Sequence, residues 1–432
     1  VGVADVRVGG ANSTGQANAN GDAIAHPGAL SLEIGDAILA TRGEGAPALL
    51  AQSVGGGGGL ALIPATWANN ATLGTSGGGS SYGGAVSLEM GVDAAGPSLV
   101  QTEGDASRGV SVQSVSGGGG QLSTAAFATG WFSDRVSAQL GATGAATGWT
   151  DDVEVLFGGA IATAGAYSDG LAVQSIAGGG GIADFGKGQG DGPGLTLALG
   201  QTQGGGRAGL AQLTHSGRGE DGGAIFTEGA GAYGMVVQSI GGGGGLASFA
   251  DTAGDARLTL GATSASGDDR AAGKVWIQRE YLGEGASGVE TGSLGQVITQ
   301  GDDAHAIVAQ SISGGGGVAR LGGARGTVTL QLGGRGGDGA NVADTVNVAF
   351  DGRMVTAGDR AIGIVAQSIS GGGGIASAGE ARVSDVRLGG VEGYVGTARA
   401  GDVDVTLGGP QSCSVQALDS CAMTFGEGAH GI

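Results

Sequence analysis

Three pairs of neighbouring carboxylates are the residues of this sequence best placed to do chemistry: Asp151-Asp152, Asp268-Asp269 and Asp302-Asp303. Two carboxylates on one face of a groove can act as general acid and nucleophile in the cleavage of a polysaccharide. Charged side chains also keep the loops of a β-rich protein hydrated and oppose lateral aggregation. We favour this second role, and predict no catalytic residues and no enzymatic activity.

Metal and cofactor chemistry has few candidates. No HxxxH, HExxH or Cys/His cluster surrounds the four histidines, His26, His215, His305 and His430. We predict that they are exposed turn residues, and that His305 and His430 occupy different positions of the repeat described below. Residues 333–339 resemble one calcium-binding glycine-rich nonapeptide, with Asp338 as the candidate ligand. Such sites share calcium between tandem copies and only one copy is present, so we predict no cofactor, with calcium as the alternative.

Bulk composition restricts the partners. The net charge of −20 disfavours binding to nucleic acid or to an anionic membrane surface. No apolar run approaches the roughly 20 residues of a membrane-spanning helix. The two cysteines, Cys413 and Cys421, lie close together, which leaves open a local disulfide of an oxidising compartment or two free thiols.

The chain is organised by a repeated motif. A glutamine is followed by serine, by valine or isoleucine, by one small residue and by four glycines. The glutamines are Gln52, Gln113, Gln174, Gln238, Gln310 and Gln367. Polar side chains at one repeated position can stack as a buried ladder or form a repeated ligand face, and we favour the ladder. The glycine tracts are either closely packed backbone or flexible loops, and their strict retention favours packing.

Two further residues are invariant upstream of each glutamine. Eleven positions before it stands a threonine: Thr41, Thr102, Thr163, Thr227, Thr299 and Thr356. Nine positions before it stands a glycine: Gly43, Gly104, Gly165, Gly229, Gly301 and Gly358. We predict that this segment is a turn between two short strands, and that the glycine provides a positive φ angle.

The periodicity is that of β-strands. In the last complete motif Ile364, Ala366 and Ser368 fall on one face and the intervening residues on the other, while the glycine density disfavours helix. We predict five or six strands per repeat and an all-β, right-handed parallel β-solenoid. If three strands make one coil, each repeat supplies two coils, and about fourteen coils form a rod roughly 65 Å long.

One continuous solenoid is expected over residues 1–432. The motif spans residues 39–61, 100–122, 161–183, 225–247, 297–319 and 354–376, with a truncated seventh copy at 422–432. Because residues 3–10 match residues 383–390 and the seventh copy stops before its glutamine, we expect the chain to be a fragment of a longer array of six to seven repeats of roughly 60 residues.

This pattern resembles the glycine-rich passenger regions of large bacterial autotransporters, adhesins of type V secretion. The resemblance is carried by residues 363–374, by the Thr-x-Gly turn and by strands such as residues 386–390. It implies a β-helical stalk that is secreted or displayed on the outer-membrane surface of a Gram-negative bacterium and functions in adhesion, biofilm formation or extracellular filaments. It implies no catalytic residue.

We therefore predict a structural, non-enzymatic extracellular or cell-surface stalk of the adhesin type. Its expected partners are neighbouring repeats or copies of itself, and surface glycans or other cells. One alternative is a subunit of a self-assembling extracellular filament. Another is a polysaccharide-binding or polysaccharide-cleaving β-solenoid of the tailspike or lyase type.

Overall fold

The computed structural model describes most of the chain, with gaps between the described ranges. These ranges are residues 4–8, 28–63, 68–74, 81–92, 98–128, 135–142, 147–189, 194–200, 205–216, 223–252, 254–262, 269–280, 295–334, 339–379, 382–390, 397–408 and 421–431. Within them every regular element is a β-strand, and every strand pairing is parallel. The predicted parallel β-solenoid is therefore confirmed.

The strands form six sheets, which we label A to F in the order in which the chain visits them. Sheet A contains Ala4–Val8, Ala68–Leu73, Arg135–Leu140, Gly194–Leu199, Ala256–Leu260, Thr327–Leu332 and Arg382–Leu388. Sheet B contains Ser81–Gly83, Gly148–Thr150, Gly206–Arg207, Arg270–Ala271, Asn341–Val342 and Ala398–Arg399. Sheet C contains Leu30–Ile34, Val86–Met90, Val153–Phe157, Ala211–Ser216, Val275–Glu280, Val346–Phe350 and Val403–Leu407.

The remaining three sheets carry the repeated motif. Sheet D ends at the invariant threonines and contains Ile38–Thr41, Leu99–Thr102, Ala160–Thr163, Ala224–Thr227, Gly295–Thr299, Gly352–Thr356 and Cys421–Thr424. Sheet E holds the glutamines and contains Leu49–Val54, Val110–Val115, Leu171–Ala177, Met235–Gly241, Ile307–Ile312 and Ile364–Ile369. Sheet F follows the glycines and contains Gly58–Ile63, Gly119–Ala128, Gly180–Gln189, Gly244–Thr252, Gly316–Ala324 and Gly373–Ala378.

The predicted coil size was wrong. Each strand pairs with the strand one full repeat later, so that Gln113 lies between Gln52 and Gln174 in sheet E. One repeat is therefore a single coil of six strands rather than two coils of three. We number the coils 1 to 7 so that coil 1 contains Gln52 and coil 6 contains Gln367. Six steps of about 4.8 Å give a stack about 29 Å long, less than half the predicted rod.

Six strands are needed because the coil encloses two main apolar cores. The first lies among sheets C, D and E and includes Leu88, Val100 and Val112 of coil 2. The second lies between sheets A and F and includes Leu73 and Leu122 of the same coil. The first core buries one face of sheet E, and sheet F of the same coils covers the other, so its strands read as continuous buried runs.

The Thr-x-Gly turn joins sheet D to sheet E and is closed by the threonine. In coil 2 the Thr102 hydroxyl donates to the Ser107 carbonyl at 2.6 Å, and in coil 5 the Thr299 hydroxyl donates to the Ala304 carbonyl at 2.6 Å. The same bond across five residues occurs in the other coils with a complete motif. A hydroxyl at the end of a strand thus satisfies a backbone carbonyl that the turn removes from the sheet.

The invariant glycine of this turn serves a different purpose from the one predicted. None of the six lies at a positive φ angle. A Cβ at Gly165 would instead collide with the carbonyl of Gly104 in the coil below, and the same holds at Gly229. The positive φ falls two residues later, where the chain has Gly45, Ala106, Tyr167, Gly231, Asp303, Arg360 and Gly428. Close stacking, rather than turn conformation, therefore makes the first glycine invariant.

We expect Gly165→Ala to destabilise the protein by about 3 kcal/mol, because the new methyl group would collide with the Gly104 carbonyl of the preceding coil. Gly43→Ala is the matched control, since among the described residues the nearest atom to the new Cβ is the Ala46 Cβ at 3.6 Å, and no backbone atom collides with it. Chemical denaturation of the two variants measures the difference. Equal losses of stability would show that turn conformation, not stacking, requires the glycine.

Candidate functional site: the E–F arch

The strands of sheets E and F in each coil face one another across the four-glycine corner, and we call this pair the E–F arch. One pair of facing positions in its interior is apolar in coils 3 to 5. Ala172, Val236 and Val308 of sheet E pack there against residues of sheet F, namely Ile182, Leu246 and Val318. A second small cluster near the corner consists of Ile176, Ile240 and Ile312. The repeated motif is therefore the wall and corner of a buried arch.

The glycine corner depends on both properties of glycine. All four glycines of all six tracts have positive φ angles, and in coil 2 these are 82°, 80°, 130° and 117° for residues 117–120. A Cβ at Gly119 would also collide with the carbonyl of Gly180 in the next coil, and one at Gly120 with that of Gly59 in the previous coil. The tracts are thus closely packed backbone, as the packing interpretation predicts, and not flexible loops.

The glutamines form a buried ladder inside the arch. Each side-chain amide Nε2 donates to the Oε1 of the next glutamine, at 2.6 Å from Gln52 to Gln113, 2.5 Å from Gln113 to Gln174 and 2.7 Å from Gln174 to Gln238. The ladder continues through Gln310 to Gln367. The four inner glutamines have no exposed surface. A buried amide column of this kind offers no ligand face, so the alternative interpretation of the motif has no geometric support.

The serine that follows each glutamine points to the opposite side of sheet E, and in every coil with a complete motif except coil 2 it bonds to the corner between sheets B and C. Ser239 donates to the Gly209 carbonyl at 2.8 Å and accepts from the Gly273 backbone N–H of the next coil at 2.7 Å. Ser311 and Ser368 repeat this arrangement one and two coils further on. One hydroxyl therefore ties three strands together across a coil boundary.

We expect Gln174→Leu to cost about 2–4 kcal/mol, because it leaves both the Gln113 amide donor and the Gln238 acceptor buried without a partner. Gln52→Leu, at the end of the ladder, orphans only one acceptor and should cost less than half as much. Denaturant unfolding of the two variants makes the comparison. The ladder would lose its assigned role if the end and middle substitutions had the same effect.

Four fully buried charges lie at the open end of the arch, across coils 2 to 5. Arg108 binds Asp184 through its two terminal nitrogens, Nη1 and Nη2, and binds Asp169 through Nε at 2.9 Å. Arg320 binds both oxygens of Asp169, and its Nη2 also donates to Ser248 Oγ at 2.8 Å. The four side chains are at most 1% exposed, and two positive charges balance two negative ones. We call them the charge cluster.

The two aspartates of the charge cluster have opposite pKa shifts. Burial raises the pKa of Asp169. The charges of Arg320 and Arg108 and the hydrogen bond from the Tyr233 backbone N–H lower it by more, so the net shift is downward. Asp184 is buried to the same extent and has only Arg108 as a direct partner, so burial prevails and its pKa is raised. Asp169 is therefore the carboxylate on which the cluster is centred.

The charge cluster was not predicted from the sequence. Arg108 and Asp169 occupy one position of the repeat, six residues after the threonine, where Tyr233, His305 and Ile362 stand in the following coils. Comparison of the repeat copies draws attention to positions that hold the same residue in every copy, and this position holds a different residue in each of the six complete copies. The available signal was the opposite one, namely isolated charges inside strongly β-branched, glycine-rich segments.

We expect Arg320→Met to cost about 3–5 kcal/mol, because it leaves Asp169 buried with one partner fewer. The fourfold variant Arg108→Met, Asp169→Leu, Asp184→Leu, Arg320→Met should recover most of this loss, since no buried charge then lacks a partner. Chemical denaturation of both variants provides the test. If the fourfold variant were less stable than the single one, the ion pairs themselves would be the source of stability.

The predicted exposure of the histidines is wrong for two of them. His215 is 3% exposed and His305 is 5% exposed. His305 stacks on Tyr233 with ring centroids 4.7 Å apart, and its Nδ1 accepts from the Ile362 N–H at 3.1 Å. Burial lowers the pKa of His305 to about 4, so the ring is neutral near pH 7. Of the other two, His430 is exposed and His26 lies outside the described residues.

The predicted difference in position between His305 and His430 is also wrong. Both stand six residues after the last threonine of sheet D, and Ile362 bridges to His430 in the same column. Apolar, aromatic and charged residues all occur in this column, so a histidine there signals a tolerated position rather than a repeated ligand.

The carboxylate pairs are not brought together. Asp151 and Asp152 are exposed at the corner between sheets B and C, and Asp302 and Asp303 lie in the turn between sheets D and E. Asp269 immediately precedes the sheet B strand Arg270–Ala271, and Asp268 lies outside the described residues. Their oxygens accept from backbone N–H groups of the next coil, as in Asp152 with Leu210 at 2.8 Å and Asp302 with Asp359 at 2.9 Å. This geometry joins coils and forms no shared groove.

The calcium candidate and the two cysteines lie largely outside the described residues. Asp338 and Cys413 lie outside the described residues, as does the side chain of Cys421. Among the described residues, no group of three or more His, Cys, Asp or Glu side chains is placed to hold a metal ion. The same part of the chain has no helix that could span a membrane.

Comparisons with protein-family models, with curated proteins and with solved structures gave no match for this chain. The class that the fold defines is a parallel β-solenoid repeat protein with a six-strand coil.

Proposed function

We propose that the chain is a stiff, non-catalytic segment of an extracellular or cell-surface stalk, of the kind found in autotransporter adhesins. One observation carries the proposal: six parallel sheets run side by side through the whole described stack, so that backbone hydrogen bonds of every sheet point along one axis. Bending such a body lengthens the hydrogen bonds of several sheets at once. Stiffness along the axis is therefore what this architecture provides.

The lateral bonds between coils support the same role. Glutamine, serine and aspartate side chains each join one coil to the next in a different part of the cross-section. A protease needs an extended substrate strand, and the strands of sheet E are buried on both faces. Resistance to bending and to proteolysis is useful outside a cell, where no chaperone restores a damaged protein.

The measured coil size sets the length that such a stalk gains per residue. A coil of about 60 residues adds only about 4.8 Å, so the segment is a thick body rather than a thin fibre. Length then grows with the number of coils at constant width. This relation makes the proposal testable with a tandem protein.

In the tandem protein, Ser384 of one copy is followed directly by Asp5 of a second copy. Asp5 and Asp385 occupy the same register position in sheet A, so the junction continues the coil. We expect electron microscopy to show a particle longer than the single chain by six coils, about 29 Å, with unchanged width. Two bodies at variable angles would contradict the stalk.

The single chain is the control for assembly. A monomer in solution at high concentration agrees with the stalk, because all contacts along its axis are then made within one chain. Growth of the single chain into fibres would favour the filament subunit instead. Cleavage of a polysaccharide by the purified single chain would favour the lyase-type alternative and would contradict a non-catalytic role.

A further inference from the structure

The E–F arch of coil 2 differs from its neighbours at one pair of facing positions, which are polar instead of apolar. Ser111 of sheet E stands in register with Leu50 of coil 1 and Ala172 of coil 3. Gln121 of sheet F stands in register with Leu60 and Ile182. The corresponding pairs in coils 3 to 5 form the apolar interior of the arch. Two facing positions are thus polar in one coil only.

These polar groups are deeply buried and lack partners within the described structure. Ser111 and Gln121 have no exposed surface, and Ser123, two residues further along sheet F, is 2% exposed. Four of their atoms make no hydrogen bond to the described residues: Ser111 Oγ, Gln121 Nε2, Gln121 Oε1 and Ser123 Oγ. Buried polar atoms in native proteins almost always bind a partner, either protein or ordered water. Coil 2 has seven such atoms, and the four of Ser111, Gln121 and Ser123 share the interior of one arch, which points to a bound group.

The column of Ser111 holds smaller side chains in coils 2 and 3 than in coils 4 and 5. In the column of Ser111 the next residue is Ala172, and the two after it are Val236 and Val308. Two consecutive small residues thus replace the branched side chains that fill the arch further along.

We propose that the arch of coil 2 encloses an internal water site, formed by the Ser111 hydroxyl, the Gln121 amide and the Ser123 hydroxyl. A buried water needs two to four polar partners, and these groups supply both donors and acceptors. A cation fits less well, since no member carries a negative charge and the Gln121 Nε2 is a donor. The buried carboxylate of Asp184 is already bound by Arg108.

This site is independent of the proposed stalk function and explains the one exception in the repeat. An apolar residue follows the glycine tract in every other coil with a complete motif, and Gln121 replaces it in the coil that has Ser111 on the facing strand. Water makes the polar coil compatible with its apolar neighbours, because it bridges groups too far apart to bond directly.

A high-resolution crystal structure of the chain tests the site directly. We expect ordered density about 2.7–3.2 Å from Gln121 and from at least one of the two serine hydroxyls. Crystals soaked in rubidium chloride should show no anomalous peak there. A dry arch in which the Gln121 amide bonds directly to a serine would overturn the proposal. A rubidium peak would also overturn it, because the site would then bind a monovalent cation and not water.

Variants that copy coil 3 test it in solution. With a shared water, Ser111→Ala and Gln121→Ile should each lower the melting temperature. The double variant should lose less than the sum of these two losses, because no polar group then needs the water. The control pair is Gln121→Ile with Val308→Ala in coil 5, whose shifts should add. If each single change raised the melting temperature and the two shifts added, the atoms would be unpaired and the site empty.

Discussion

Each residue of the described strands stacks on the residues at the same repeat position in the neighbouring coils, at the strand spacing of about 4.8 Å. This in-register stacking is the constraint on which the rest of the structure depends. A position can hold the same residue in every coil only if that residue packs against its own copy. Glutamine does so because its amide is both donor and acceptor, and glycine does so because two backbones then approach without a clash.

Buried charges cannot follow this rule, since like charges would meet at the strand spacing away from water. The column six residues after the threonine shows the consequence. Arg108 is followed by Asp169, then by the aromatic Tyr233 and by His305, whose pKa is lowered by burial. Opposite charges thus stand in successive coils, and the next charge, Arg320, comes from sheet F to neutralise the same carboxylate. Residues that vary between coils vary in a way that stacking dictates.

The sequence predicted the strands and the ladder for a physical reason. Alternation with period two places Gln174 and Ile176 on one face, and identical residues at one repeat position can only stack or be exposed together. The coil size could not be obtained in this way, because three-strand and six-strand coils have the same local alternation. It depends on which strand lies beside Gln113, and that choice is made by the burial of sheet E between two cores. The positive φ assigned to Gly165 failed similarly, because invariance does not distinguish conformation from close approach.

The same stacking rule raises a problem that the varying residues solve. Since six coils share one motif, a coil could pair with the wrong neighbour and still satisfy the glutamine ladder, the threonine turn and the glycine corner. Such a slip would separate Asp169 from Arg108 below and from Arg320 above, and would leave buried charges without partners. The invariant residues therefore define what a coil is, and the charge cluster favours one order of coils 2 to 5. Buried ion pairs add little net stability when compared with apolar side chains, but a misordered stack would lose them completely.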